Sequence, residues 1–270
     1  MVIHLAGISS AQYSFVHPIE ALNINGMVVA NLCEMIHRNK WNMKLFNSTS
    51  SEMYKGHVNY QVKEGDNDHN MFYSHPYAIA KTMGHNMVQF YRDTYGLPFT
   101  NGIFFTIESP RKRPEFLLNK VAIHATQWMR TKTPLTLGNL DSYRNILHAK
   151  DAATAIRKIM EQPKGDTYVI CNTESALISA LVFRLYQLSG IQIDSKEDGL
   201  YQVGTNLPVA FIEQTGKGLD VQPIDIRGEP TKLKNIGWSP TFTIDDILRD
   251  IIIACTTTAK TNYRNDEYAP

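Results

Sequence analysis

Residues 2 to 7 constrain the fold more than any other stretch. Val2-Ile3-His4-Leu5-Ala6-Gly7 is apolar at nearly every position rather than at alternate ones, the pattern of a strand covered on both faces, as in a parallel sheet. Parallel neighbours cannot be joined by a hairpin; they need a crossover, usually a helix. A helix follows. From Ile19 to Arg38, Val28, Val29, Leu32, Met35 and Ile36 recur at helical spacing, and Leu45-Phe46 within Lys44 to Asn47 reads as the next strand.

The alternation continues down the chain. A helix is expected from about Ser74 to Tyr95, with Ala80, Met83, Met87, Val88 and Tyr91 on its buried side and Gly96 as its C-cap. Phe99 to Phe105 is a strand, Glu115 to Met129 a helix, Thr167 to Cys171 a strand and Ser175 to Ser189 a helix. Asp151 is the expected N-cap of another helix. Ile244 to Ala254 closes the pattern, and a polar tail begins at residue 256. Strands alternating with helices give an α/β fold, a doubly wound parallel sheet with a smaller C-terminal lobe. We place the first domain at 1–170 and the smaller lobe at 171–255, with some exchange between the two.

Other features narrow the function. The formal net charge is +1 with both signs interspersed, so nothing draws the chain to nucleic acid or an anionic membrane. Three cysteines, Cys33, Cys171 and Cys255, are far apart and lack metal-ligand spacing, which suits reduced thiols and no metal. No leader is evident, and no apolar run approaches the roughly 20 residues of a membrane span. A cytoplasmic protein is expected.

The chemistry concentrates between Asn47 and Lys81. Asn47-Ser48-Thr49-Ser50-Ser51-Glu52 ends an apolar segment in short hydroxyls and a carboxylate. After a polar loop comes Tyr77-Ala78-Ile79-Ala80-Lys81. Tyr and Lys four apart stack on one helix face. An ammonium there is expected to lower the tyrosine's pKa, making Tyr77 a general base for an alcohol, with Glu52 as a second base. On its own, Tyr-x-x-x-Lys also fits a half-buried Tyr beside a solvated Lys. The order strand, hydroxyl-rich turn with Glu, loop, then Tyr-x-x-x-Lys is more selective.

That order resembles the extended short-chain dehydrogenases acting on nucleotide sugars. Ser50-Ser51-Glu52-Met53-Tyr54 is similar to the Ser/Thr-Ser-Glu-Leu-Tyr-Gly block of the GDP-mannose 4,6-dehydratases. Further blocks follow in the same order: Glu108-Ser109-Pro110-Arg111, Leu137 to Asn145, His148 to Asp151, Gly228 to Lys232 and Ile236 to Pro240. The resemblance implies a Rossmann-like sheet and NADP as cofactor. It places Ser50, Glu52, Tyr77 and Lys81 in catalysis, with Thr49 the neighbouring alternative to Ser50. Leu5, Ala6, Gly7, Ser9, Tyr77, Lys81 and Lys112 would lie along the cofactor. Glu108, Ser109, Arg111 and Arg144 would bind the substrate, Arg144 by its fork of donors at the pyrophosphate. The reaction implied converts GDP-mannose to GDP-4-keto-6-deoxymannose.

The chain also departs from the family. It has no Gly-x-x-Gly-x-x-Gly turn to seat a pyrophosphate, and residues 2–7 match the family's fourth strand. A sheet lacking its first three strands would expose Val2 to Ala6 at an edge. Fraying, self-association, or docking of a chain that supplies the lobe is then expected, with weakened NADP binding. Ile107, Lys112 and Asn145 replace the family's His, Arg and Asp, and Leu219 to Gln222 replace its Arg-Pro-Thr-Glu segment. Two readings stand: a dehydratase of reduced competence, or a non-catalytic relative acting as an interaction subunit or degenerate copy.

Overall fold

The computed structural model describes residues 1–54, 60–64, 75–213 and 226–258, without the side chains of Tyr60 and Thr258. The chain divides into two compact units, each assembled from three segments. The first comprises Met1–Ile107, Arg144–Ser175 and Ile224–Thr241; the second comprises Glu108–Tyr143, Ala176–Pro223 and Phe242–Pro270.

The first unit is built on a four-stranded parallel sheet. Its strands are β1 (Val2–His4), β2 (Leu45–Ser50), β3 (Phe99–Phe104) and β4 (Thr167–Ile170), in the order β1-β2-β3-β4. Register runs Ile3 to Phe46, Asn47 to Asn101 and Ile103 to Val169. The interior strands behave as parallel strands should, buried at every position of β2. Edge strand β1 does not: Ile3 is 42% exposed and, just beyond it, Leu5 54%. The expectation of cover on both faces fails for Ile3 and Leu5, which share one face, whereas Val2 packs against the cluster of Leu45 and Phe99; among the described residues only β2 pairs with β1.

Helices α1 (Ala11–Val16), α2 (Val28–Arg38), α3 (Pro76–Tyr95) and α4 (Ala149–Glu161) belong to the same unit. Val29, Cys33 and Ile36 of α2 pack with Leu45, Val88, Tyr91 and Phe99. Phe46, Leu147, Ala155, Ile159 and Ile170 form a second cluster with Leu233 and Trp238. Each large side chain so buried contributes roughly 1.5–3 kcal/mol. The helix expected over Ile19 to Arg38 is interrupted. Pro18–Leu22 leads into a π-helical turn, Asn23–Met27, before α2. That extra residue per turn is a device found often at functional sites.

Helix α3 ends as expected, at Gly96 with φ 66°, a left-handed conformation that glycine adopts without strain. Asp151 is not an N-cap. His148 caps α4, accepting from Lys150 N at 3.0 Å. Asp151 lies inside the first turn and takes both donors of Thr241, N at 3.0 Å and Oγ1 at 2.6 Å.

In the second unit, Ile193–Lys196, Gly199–Gln202 and Pro208–Ile212 form an antiparallel meander, and Leu135–Leu137 adds in parallel to its last strand. Helices Leu117–Thr131, Ile178–Leu188 and Ile244–Thr258 pack together. Trp128, fully buried, donates Nε1–H to Gln202 Oε1 at 2.9 Å. His124 Nε2 lies 2.8 Å from the Thr133 carbonyl and so carries the proton. Its Nδ1 then accepts from Tyr186 OH at 2.7 Å.

Candidate functional site

The end of β2 and the start of α3 bring the expected catalytic residues into one cluster, all within the first unit. Strand alternation decides between the two hydroxyls. Thr49 turns to the sheet and donates to the Gly102 carbonyl at 3.1 Å. Ser50 points to the opposite face, where its hydroxyl accepts from Glu52 N at 3.2 Å and lies close enough to the Tyr77 phenol to pull its pKa down. One hydroxyl thereby touches the anchors of both candidate bases.

Helix α3 starts with every N-terminal donor accounted for. Pro76, at the first position, has no N–H. Tyr77 N donates to the buried Ser14 Oγ of α1 at 3.1 Å, and Ala78 N donates to His75 Nδ1 at 3.4 Å. Ile79 N donates to His75 O at 3.1 Å. A first turn held this way fixes where Tyr77 and, one turn on, Lys81 project.

Lys81 is 7% exposed and donates to Ser48 O at 2.9 Å. Burial lowers its pKa to about 8. Its ammonium lies 5.9 Å from the Tyr77 ring centroid, but burial of the phenol dominates its titration. The expected lowering of Tyr77 is therefore not found. Burial, with the nearby Glu52 carboxylate, raises the phenol above its ordinary value, against the pull of Ser50. In this state Tyr77 is a neutral phenol.

Two residues were missed by sequence reasoning. His75, 4% exposed, places Nε2 at 3.1 Å from Glu52 Oε2 and stacks on Tyr77 with centroids 5.9 Å apart. The signal was a histidine immediately before Pro-Tyr at a helix start. Asn25, in the π-helical turn, accepts from Ile8 N at 2.9 Å and donates to Ile8 O at 3.0 Å. It fixes the segment after β1, where Leu5, Ala6, Gly7 and Ser9 are all exposed. A Cβ at Gly7 would sit 2.5 Å from Asn25 Oδ1 and push that amide away from Ile8.

The remaining expected residues are divided between the two units. Glu108, Ser109, Arg111 and Lys112 belong to the second unit. Glu108 is 4% exposed and accepts from Lys112 Nζ at 2.7 Å. Its pKa is raised by burial in spite of that ammonium. Lys112, expected along a cofactor, is engaged by Glu108 and by the Phe116 ring, 4.9 Å from its centroid. Ser109 Oγ accepts from Arg111 N at 3.2 Å, and Arg111 is exposed. Arg144, at the edge of the first unit, is also exposed. Asn145, where the family's Asp was expected, is buried and hydrogen-bonded through both ends of its amide. Of the polar, irregular loop expected from Lys55 to Tyr73, residues 60–64 are described, and Tyr60–Val62 is a strand paired in parallel with Ile226–Gly228; the rest, like Leu219 to Gln222, lies outside the described residues. Glu64, just beyond that strand, accepts from Lys232 N at 3.1 Å and Val169 N at 3.4 Å, a structural tie.

A nicotinamide-ribose group fits this cluster. The buried Nδ1 of His4, on β1, has no partner among the described residues. Lys81 has one acceptor there for its three protons. The remaining protons of Lys81 beside the Tyr77 ring, with the exposed backbone of residues 5–7, suit ribose hydroxyls and an amide. No grouping of His, Cys, Asp or Glu among the described residues could hold a metal. No helix among them is long and apolar enough to cross a membrane.

The sequence profile of the family described as GDP-mannose 4,6 dehydratase matches residues 1–251. The chain belongs to the GDP-mannose 4,6-dehydratase family. It is 27% identical over 259 residues to GDP-mannose 4,6 dehydratase 2 of Caenorhabditis elegans, covering 93% of this chain and 66% of that protein. With GDP-mannose 4,6-dehydratase sdnI of Sordaria araneosa it shares 23% over 260 residues, covering 94% and 47%. The chain thus spans less than two thirds of the length of either relative. Among solved structures, RMD of Pseudomonas aeruginosa complexed with NADPH superimposes with a TM-score of 0.74 at 20% identity, covering 94% of this chain and 80% of that one. The dTDP-glucose 4,6-dehydratase of Bacillus anthracis in complex with NAD gives 0.73 at 19%, covering 97% and 74%. These likenesses show a doubly wound, Rossmann-like fold.

Proposed function

We propose that this family member is a nucleotide-sugar 4,6-dehydratase acting on GDP-mannose, with NADP as its cofactor. The observation that carries the reading is the Ser50 hydroxyl, which contacts both the Tyr77 phenol and the backbone of Glu52. A phenol and a carboxylate in one cluster are what an oxidation followed by an elimination requires, because the two protons removed differ in acidity and position.

The chain's own groups divide the work. Tyr77 takes the proton of the sugar's 4-hydroxyl while Ser50 holds that oxygen. Glu52 then takes the proton from carbon 5, acidified by the adjacent carbonyl, and returns it to the hydroxide departing from carbon 6, which leaves as water; the proton Tyr77 took from the 4-hydroxyl balances the one carbon 5 regains when carbon 6 is reduced. Lys81 donates to ribose hydroxyls. A bound nicotinamide supplies the two-electron acceptor for carbon 4, the donor for carbon 6, and a positive charge that favours the phenolate. Leu5, Ala6, Gly7 and Ser9 would lie along it, with Lys112 as a further contact. Glu108, Ser109, Arg111 and Arg144 are proposed for the substrate, Arg144 for its pyrophosphate. NADP is preferred because the RMD structure carries NADPH.

The test is product formation from GDP-mannose and NADP by the 270-residue chain, followed by mass spectrometry. A product lighter by one water is expected, and Tyr77→Phe and Glu52→Gln should each abolish it. Turnover that survives in both variants removes these residues from their roles. A chain that binds the sugar nucleotide without dehydrating it would instead support the reading of a non-catalytic interaction subunit.

A further inference from the structure

His75 is an unusual choice for the start of a helix. Ser, Thr, Asp and Asn are the preferred caps, yet this imidazole accepts from Ala78 N through Nδ1. That bond has a consequence for the other nitrogen. A ring nitrogen that accepts carries no proton, so the neutral imidazole holds its proton on Nε2. Nε2–H then points at a carboxylate, Glu52 Oε2, 3.1 Å away. The ring is 4% exposed and wedged between Phe15 and Tyr77, with centroids 5.9 Å from each. It has little freedom to turn.

We propose that His75 is a positioning residue for Glu52, holding its carboxylate beside Tyr77 through an Nε2–H bond whose direction the helix backbone sets. The proposal rests on the dehydratase reading above. Glu52 lies in the single turn Ser51–Tyr54, short and partly exposed, where a glutamate side chain otherwise samples several rotamers. A bond to one carboxylate oxygen restricts the other to a defined arc. Because His75 also touches the Tyr77 ring and caps the helix bearing it, one side chain sets the distance between the two bases. A misplacement of about 1 Å in such a pair costs on the order of 100-fold in rate.

The experiment separates capping from positioning. His75→Asn keeps a good cap, but its amide is too short to reach the place of Nε2. His75→Gln puts an amide N–H near that place and caps poorly. The Asn variant is expected to melt close to the parent and keep its KM, while kcat falls about 10- to 100-fold. Its kinetic isotope effect with substrate deuterated at carbon 5 should rise. The Gln variant should melt lower yet recover most of kcat. An Asn variant with parental kcat, or a Gln variant no faster than Asn, overturns the proposal. Imidazole nitrogen-15 spectra of the resting protein read the tautomer without turnover. The Nε2–H form is expected, shifted by Glu52→Gln; the Nδ1–H form overturns the inference. An inactive parent chain defeats the dehydratase reading, and the tautomer measurement still decides the geometry.

Discussion

Asn25 grips Ile8 by both ends of its amide, accepting from Ile8 N at 2.9 Å and donating to Ile8 O at 3.0 Å. A π-helical turn and an otherwise exposed segment are locked together by one side chain. Asn25→Ala leaves both Ile8 groups without these partners and should cost about 1–3 kcal/mol. Amide exchange of residues 5–10 should accelerate with it. Unchanged exchange there would mean that the segment is held by other contacts.

Lys81 illustrates a trade between stability and use. Its pKa falls from 10.5 to about 8 in the folded chain, and each unit is worth about 1.4 kcal/mol. Below about pH 8 both states are protonated, and the full penalty of about 3 kcal/mol is present. Between about 8 and 10.5 the unfolded chain holds the extra proton, so stability should rise with pH by that amount. Lys81→Met should be more stable than the parent at pH 7, flat across this window, and inactive. Urea titrations at pH 7 and 10 read the difference; a parent chain with no gain from pH 7 to 10 contradicts it.

What could be read from the residues alone was the periodic part. Apolar runs located β2, β3 and β4, and Gly96 marked the end of α3, because local preference and burial agree there. Tyr77 and Lys81 were legible since four residues on a helix bring them to one face. Ser50 was left beside Thr49 until strand alternation assigned each a side. The sign of the Tyr77 shift was not legible: one charged neighbour was visible in the spacing, while burial and the approach of Glu52 depend on the tertiary fold. His75 escaped notice because its partner Glu52 lies 23 residues away, and histidine is not a preferred cap. Asp151 looked like a cap by residue type, but its carboxylate serves Thr241 across 90 residues.

Glu108 and Lys112 make a pair in which the acid is nearly closed from solvent and the base is not, at 4% and 20% side-chain exposure. Removing the base strands the acid. Lys112→Met should cost about 3 kcal/mol at pH 7, the order seen when one member of a buried pair is deleted. Glu108 already has a raised pKa, and losing the ammonium raises it further. The deficit should therefore shrink as pH falls and the carboxyl is neutralised, and Glu108→Gln in the same background should restore most of the loss. A deficit independent of pH between 7 and 5 would assign the effect to lost packing against Phe116.

Asn145 occupies a place where the family resemblance suggested aspartate, and its contacts require an amide. Nδ2 donates to Asn172 O at 2.8 Å and to Glu174 O at 2.9 Å, while Oδ1 accepts from Asn172 N at 2.8 Å. Asn172 in turn donates Nδ2 to Ile146 O at 3.1 Å, tying both sides of the segment after β4. Both asparagines are 4% exposed. A carboxylate at 145 could still accept from Asn172 N, but its second oxygen would face two carbonyls with no proton to offer. Asn145→Asp should thus destabilise the chain by about 2–4 kcal/mol at pH 7, combining two lost donations with a desolvated charge. Protonation of the new carboxyl restores one donor, so the loss should be partly recovered near pH 5. Denaturation midpoints at the two pH values measure this. A variant within about 0.5 kcal/mol of the parent at pH 7, the scatter of an ordinary surface substitution, would show that the segment re-forms its bonds around an aspartate.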